Sequence, residues 1–321
     1  LYYKIKKKYY RYLKLSVMKQ KILKDDAYSI KLPKKSAFSI ETPDDQIKMH
    51  QLQAICSVRG YGKGVILSSE LQGLKRQGCL DRCFIISPTI ESNRPIFDAL
   101  GINPEDEYDN GDPATIKDII RKVCEEQDEW EDYQEALMLY RILNDHNISI
   151  DRIRPELLMK ALERGYFNKK PEPKYRNNNG GKPCLGLIVD DMQGTNIYSS
   201  AGTKNPFINM CLRHRHLGKS LGLSIFMCCQ TYGGAGSIPR IIRQNITSLL
   251  LGEQKNKEVL EQIAQEIGGQ VDRETFNSAY EVAVKNENPL QQNHNFMLID
   301  FHPKCPEQMF RRNLNTFIIP N

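Results

Sequence analysis

Residues 51 to 88 constrain the fold of this 321-residue chain most, because an apolar run, a glycine turn, an amphipathic stretch and a second apolar run follow one another there. Gln51 to Val58 (QLQAICSV) reads as a strand ending in the turn Arg59 to Gly64. Val65, Leu67, Leu71 and Leu74 then fall near helical spacing, and Gly78 supplies a C-terminal stop. Cys83 to Ser87 (CFIIS) is a second buried strand closed by Pro88. The result is a βαβ unit of the kind that builds parallel sheets. From Leu185 the strand pattern returns in LGLIVDD, SLGLSIFMCCQ, ITSLLLG and NFMLIDF, with helical segments such as 255 to 267 between them. Strands alternating with helices mean an α/β fold, and no internal repeat at solenoid periods interrupts them.

Composition narrows the class. A chain with 40% hydrophobic and 26% charged residues can bury a core, which excludes a disordered, collagenous or disulfide-miniprotein chain. Its longest mainly apolar runs, around Leu223 to Cys229 and Ile246 to Leu251, fall short of the ~18 residues of a membrane span, so no membrane span is expected. Nine cysteines, none in a C-x-x-C pair and two adjacent at Cys228 and Cys229 in an apolar run, fit reduced core thiols in a cytosol-like compartment. The net charge of +6 comes from one end: residues 1 to 24 hold nine Lys or Arg and no acid. Removing those nine from the 45 basic residues leaves 36 against 39 acidic ones, a net of −3, so any nucleic-acid surface must be a local patch.

Residues 1 to 17 (LYYKIKKKYYRYLKLSV) are built almost wholly from Lys, Tyr, Leu and Ile, and Met18 is a plausible true start. The basic, aromatic-interleaved arm is read either as an upstream extension or tail, or as a contact for phosphates. It lacks the apolar core and cleavage site of a secretory signal. Residues 1 to 45 thus form a basic segment and irregular lead-in, and 46 to 321 the folded domain. Within it, a helical insertion spans about 105 to 166, with an acidic middle around Trp130, read as a solvated helix face or alternatively a partner surface. Residues 167 to 183, rich in Asn, Lys, Pro and Gly, read as a mobile loop.

Three stations carry chemistry. A phosphate loop needs G-x-x-x-x-G-K-[ST], in which backbone amides wrap the phosphates, Lys reaches the terminal ones and a hydroxyl holds Mg²⁺. Here the segment is Ser57-Val58-Arg59-Gly60-Tyr61-Gly62-Lys63-Gly64, followed by Val65. Ser57 replaces the first Gly, and Gly64 stands at the position of the missing Ser or Thr ligand. Only the context of strand, turn and helix separates it from a glycine turn with a solvent-facing Lys. The second station is Asp190-Asp191, delivered by the apolar strand Leu187 to Val189. Its first carboxylate orients Mg²⁺ through water and its second polarises the attacking water, unless the pair merely caps the next helix. The third is Gln230, placed at a strand's carboxyl end to sense a γ-phosphate, or else to cap a turn. Basic residues follow at Arg213, His214, Arg215, His216, Lys219, Arg240 and Arg243, open to ion pairs, a trans-acting finger or DNA phosphates. His214 and His216 lack a third and fourth metal ligand nearby.

With the loop, the tripeptide Ser87-Pro88-Thr89, VDDM (Val189 to Met192), the Arg-His element and CQTY followed by IPRIIRQN in this order, the chain resembles a known family. It is similar to the viral genome-packaging ATPases of the FtsK–HerA superfamily, as found in poxviruses and other DNA viruses with double jelly-roll capsids. The resemblance covers about residues 45 to 255. It implies an ASCE-type, RecA-like P-loop NTPase domain with a mainly parallel central sheet flanked by helices. It also implies a homo-oligomeric ring that uses ATP and Mg²⁺ to drive double-stranded DNA into a preformed capsid, with capsid or portal-vertex proteins as partners. The expected location is the host cytoplasm or viral factory, or the virion itself. By position Lys63 matches the Walker A lysine, Asp190 and Asp191 the Walker B pair, and Gln230 the sensor. The finger falls to Arg213 or Arg215 from a neighbour, or to Arg59 within the loop. Ser57 and Gly64 depart from the pattern and put Mg²⁺ affinity and turnover in doubt. The alternatives are a catalytically degenerate homologue with a structural or assembly role in the virion, and a cellular or plasmid DNA-pumping relative.

Overall fold

The computed structural model describes residues 42–144, 153–166, 169–175, 181–199, 204–219, 221–234, 236–288 and 290–319, all within the compact unit Ala37–Asn321. The basic arm of residues 1 to 17 and Met18 lie outside the described residues, as does part of the loop 167 to 183.

Among the described residues nine strands form one sheet in the order β3-β2-β4-β5-β1-β6-β7-β8-β9. They are β1 Leu52–Cys56, β2 Arg82–Ile86, β3 Glu107–Tyr108, β4 Leu185–Val189, β5 Ser224–Cys229, β6 Ser248–Leu251, β7 Met297–Asp300, β8 Phe310–Arg312 and β9 Thr316–Ile318. Pairing is parallel from β3 through β6. It turns antiparallel from β6 through β9. The sheet is therefore mixed, with five parallel and three antiparallel pairings. The physical reason lies in the last segment: only the turn Asn313 to Asn315 joins β8 to β9, far too short for the crossover that parallel strands require.

Side chains alternate between the two faces of each strand, and both faces are covered. On one, Ile55, Ile85, Ile188, Phe226 and Leu250 meet Leu67, Leu71 and Leu74 of α1 (Lys63–Arg76) and Phe97 and Leu100 of α2 (Arg94–Leu100). On the other, Leu187, Val189, Ile225, Met227 and Leu249 share a core with α3 (Pro113–Leu143) and α5 (Pro206–Arg213), and with α7 (Lys257–Ile267) and α8 (Arg273–Val284). The short helices α4 (Pro155–Glu163) and α6 (Arg240–Arg243) complete the set of α-helices among the described residues. Two-sided burial explains why these strands read as continuous apolar runs.

The expected helical insertion consists, among the described residues, of α3 and α4. Asp112 caps α3 by accepting from the Thr115 N–H at 2.8 Å. The first turns of α3 bury Ile116, Ile119 and Val123 against the sheet. The acidic run is not wholly solvated. Glu126 is 1% exposed and accepts from Arg82 at 2.8 Å, Lys174 at 2.8 Å and the Tyr175 hydroxyl at 2.7 Å. A buried carboxylate needs such pairing, and the pairing ties α3 and residues 174–175 to β2, the strand next to the edge strand β3. All nine cysteines are free, and seven are buried. No helix among the described residues is long and apolar enough to cross a membrane.

Candidate functional site

The loop leaves β1 at its carboxyl end. The Ser57 N–H still donates to Cys229 O at 3.3 Å, so β1 and β5 hold together for one residue beyond the strand, and the Tyr61 N–H closes a turn on Val58 O at 3.4 Å. Gly62 stands at φ 95°, ψ 25° as the N-cap of α1, a left-handed conformation that glycine adopts without steric cost. Its carbonyl accepts from the Val65 and Ile66 N–H groups, both at 3.1 Å. No side chain caps this helix and no acid occupies its first turn. The first N–H groups of α1 and the positive end of its dipole thus face an anion-binding position. Lys63 opens the helix, and its Nζ donates to Ser57 O at 3.0 Å and Val58 O at 3.3 Å, folding the ammonium back over the loop.

The carboxylates arrive from β4. The Asp190 N–H donates to Ile86 O at 3.0 Å, which holds the residue just past the strand. Burial pushes the Asp190 carboxyl up and Asp191 adds to the effect, while Lys63 and a hydrogen bond from the Cys228 thiol pull it down. The Lys63 charge therefore acts on Asp190 although 127 residues separate them. Asp191 is exposed and sits at φ 53°, in the left-handed region that Asp tolerates better than most residues.

Strand order completes the site. β5 lies between β1 and β4, so Gln230 at its end stands between the loop and the two acids, with its side chain exposed. Ser57, Lys63, Asp190, Asp191 and Gln230 thus gather at the carboxyl ends of three neighbouring strands, where ligands bind in α/β sheets. Arg59 is exposed on the loop.

Arg213 and Arg215 are not part of this group. Arg213 precedes and Arg215 lies within the turn His214–His216 before β5, where the Leu223 N–H donates to His214 O at 2.9 Å. That places them, exposed, toward the amino end of β5, the end opposite Gln230. A groove of about 990 Å³ opens at this end, lined in part by Arg215, Arg240, Gln244 and Gln265. His214 is buried with Nδ1 on Cys211 O at 2.8 Å. Among the described residues no cluster of three His, Cys, Asp or Glu side chains is placed to hold a metal. Arg243 pairs with Glu266 at 2.8 Å, and Lys219 with Glu131 at 2.8 Å.

Two sets of contacts escaped the sequence reading. The Gln193 Oε1 accepts from the Gln230 N–H, and its Nε2 donates to Thr231 O at 3.1 Å, joining the segment after the acids to the end of β5. From more than 230 residues away, Gln292 Nε2 donates to Gly60 O at 3.0 Å and His294 Nδ1 bonds Tyr61 O at 2.9 Å. A carbonyl only accepts, so Nδ1 carries the proton. The Tyr61 hydroxyl in turn donates to Asn295 O at 2.9 Å. An isolated Gln or His carries no signal of such contacts.

No protein-family model matches the chain, and no curated protein matches it. Solved structures do. The genome packaging NTPase B204 from Sulfolobus turreted icosahedral virus 2, in complex with ATP-gammaS, aligns over 84% of this chain and 98% of its own at 12% identity and a TM-score of 0.38. The pCW3 conjugation coupling protein TcpA with ATPgS aligns over 78% of this chain and 59% of its own at 13% identity and a TM-score of 0.37. The Thermomonospora curvata EccC ATPases 2 and 3 align over 84% and 37% at 12% identity and a TM-score of 0.37. At these scores the likeness adds nothing to the geometry above.

Proposed function

We propose that this chain is an ATP-hydrolysing motor that moves double-stranded DNA, and that its cargo is a viral genome driven into a preformed capsid. The observation that supports this reading is the convergence of Lys63, the uncapped start of α1 and the Asp190–Asp191 pair on one edge of the sheet, with β5 and Gln230 between them. The free N–H groups of α1 and the Lys63 ammonium bind a triphosphate. Asp191 accepts the proton of the attacking water, and Gln230 orients that water toward the γ-phosphate.

The donor set fits Mg²⁺ in one manner. This ion takes one or two carboxylates and fills its octahedron with phosphate oxygens and water, and Asp190 beside Asp191 offers that much and no more. Bound there, it would neutralise charge on the β- and γ-phosphates. Asp190 would hold it through water, and Gly64 has no hydroxyl to add.

Arg213 and Arg215 lie too far round the sheet to reach their own nucleotide. In a homo-oligomeric ring they would meet the neighbour's, which makes them trans fingers, while Arg59 is the candidate in cis. Capsid or portal-vertex proteins are the proposed partners, and the host cytoplasm, viral factory or virion the proposed place of action. The missing hydroxyl at Gly64 favours a second reading, a silent homologue kept for assembly. Steady-state ATPase with and without double-stranded DNA separates the two. The motor turns over, is stimulated by DNA and is abolished by Lys63→Ala; the assembly protein stays at background under every condition.

A further inference from the structure

The segment after the two acids is built onto the end of β5. Met192 is buried in the core shared with α3 and α5. Thr195 folds back on it, its N–H and its hydroxyl both donating to Met192 O, at 3.3 and 2.8 Å. Gln193 and Gly194 are therefore the central residues of a tight turn anchored at its first position. Gly194 stands at φ 80° and Gly236 at φ 73°, which glycine adopts at no steric cost, and the Gly194 N–H donates to Gly236 O at 2.9 Å. The two backbones approach so closely that a Cβ on Gly236 would lie 3.1 Å from the Gly194 Cα. The turn after the acids and the loop after β5 are thus joined backbone to backbone.

The Gln193 side chain, half-buried, reaches from that turn to the start of the same loop. Its Oε1 accepts from the Gln230 N–H, and its Nε2 donates to Thr231 O at 3.1 Å and to Thr231 Oγ1 at 3.2 Å. The Gln230 N–H can only donate and the Thr231 carbonyl can only accept, so the orientation of the carboxamide is fixed. A carboxamide presents acceptor and donor side by side, which neither an aliphatic side chain nor a carboxylate does. Gln230 is the first residue past β5, with its own side chain exposed. Because Gln193 lies two residues after Asp191, one turn supports both the acid and the backbone of Gln230.

We propose that Gln193 is the positioning residue for Gln230: it fixes the backbone from which the Gln230 side chain extends, and so holds that carboxamide in register with Asp191 and the attacking water. The proposal rests on the ATPase reading above. Gln193 acts through Gln230, since both its polar atoms are engaged by residues 230 and 231.

Single-turnover hydrolysis, with calorimetry on ATP and on inorganic tripolyphosphate, tests this on the full chain. Misplacing a positioned group by ~1 Å can cost ~100-fold in rate, so Gln193→Ala should slow the chemical step by about tenfold to a hundredfold while both ligands bind as in wild type. Gln193→Met keeps the length and bulk of the side chain without its hydrogen bonds and should do the same with the turn intact. Gln230→Ala should slow the step at least as much. The deciding comparison is the double variant. Acting through Gln230, Gln193→Ala costs no further rate once Gln230→Ala is present, whereas a merely structural loss multiplies with it. Wild-type rates in Gln193→Met, a matching loss of ligand affinity, or a double variant slowed by the product of the two effects each overturns the proposal and leaves the ATPase reading standing. A wild type that does not hydrolyse ATP removes that reading, and the positioning role with it.

Discussion

Gly252, just past β6, is buried against the phosphate loop, and replacing it with alanine tests whether that packing holds the loop in place. A Cβ there would stand 2.6 Å from the Ser57 Cβ and 2.6 Å from the Tyr61 Cδ1. Ordinary carbon contacts lie at ~3.5–4.0 Å, so about 1 Å must be found. Neither neighbour yields freely. Ser57 is fully buried and its N–H is bonded to Cys229 O. Tyr61 is 4% exposed, is bonded to Asn295 O and packs edge-on against Phe296 at 5.2 Å between ring centroids. Overpacking of this kind costs ~1–3 kcal/mol. Because the strain falls on the loop, tripolyphosphate affinity should fall with stability. Gly73→Ala is the control. It lies in the last turn of α1 with nothing within 4 Å of its Cβ position, and in a helix alanine is worth up to ~1 kcal/mol over glycine. Urea denaturation and calorimetry with tripolyphosphate should show opposite signs for the two substitutions. A Gly252→Ala protein as stable as wild type, with wild-type affinity, would refute the claim that Gly252 seats the loop.

Three further outcomes are expected. Asp191→Asn keeps a residue suited to φ 53°, so nucleotide binding should persist while turnover stops; single-turnover kinetics will show it. Gly64→Ser meets only the Ile96 Cδ1 at 3.3 Å, the end of a flexible side chain, and should lower the Mg²⁺ concentration needed for hydrolysis and raise the rate; an unchanged background at every Mg²⁺ concentration would instead favour the silent homologue. Glu70 is 8% exposed and accepts from Gln53 Nε2 at 2.9 Å. Burial pushes its carboxyl from the ordinary 4.5 up to about 7, against the pull of Gln53 and Arg311. The folded chain therefore keeps a proton that the unfolded chain releases. Its stabilising contribution is full below pH 4.5 and is lost as pH rises to 7, roughly 3 kcal/mol at ~1.4 kcal/mol per pH unit. Urea midpoints between pH 5 and 8 should fall in wild type and stay flatter in Glu70→Gln.

The strand, glycine turn and helix at residues 51 to 76 were legible because each is written in a local period: an unbroken apolar run, glycines where the chain reverses, then leucines at helical spacing. The same holds for Val189-Asp190-Asp191, since two acids after an apolar run need no partner to be recognised. Local periods say nothing of which strand lies beside which. That β5 enters between β1 and β4, so that Gln230 faces both the loop and the acids, is set by packing between segments more than a hundred residues apart. The antiparallel pairing of β8 with β9 is local by contrast, since only Asn313 to Asn315 join them. Glu126 read as one more solvated acid until Arg82, Lys174 and Tyr175 closed around it, and the bonds from Gln292 and His294 to the loop backbone involve carbonyls that every residue possesses. Residue types and spacing determined which chemistry this chain can offer; tertiary structure decided where those groups meet, because only folding converts distance along the chain into distance in space.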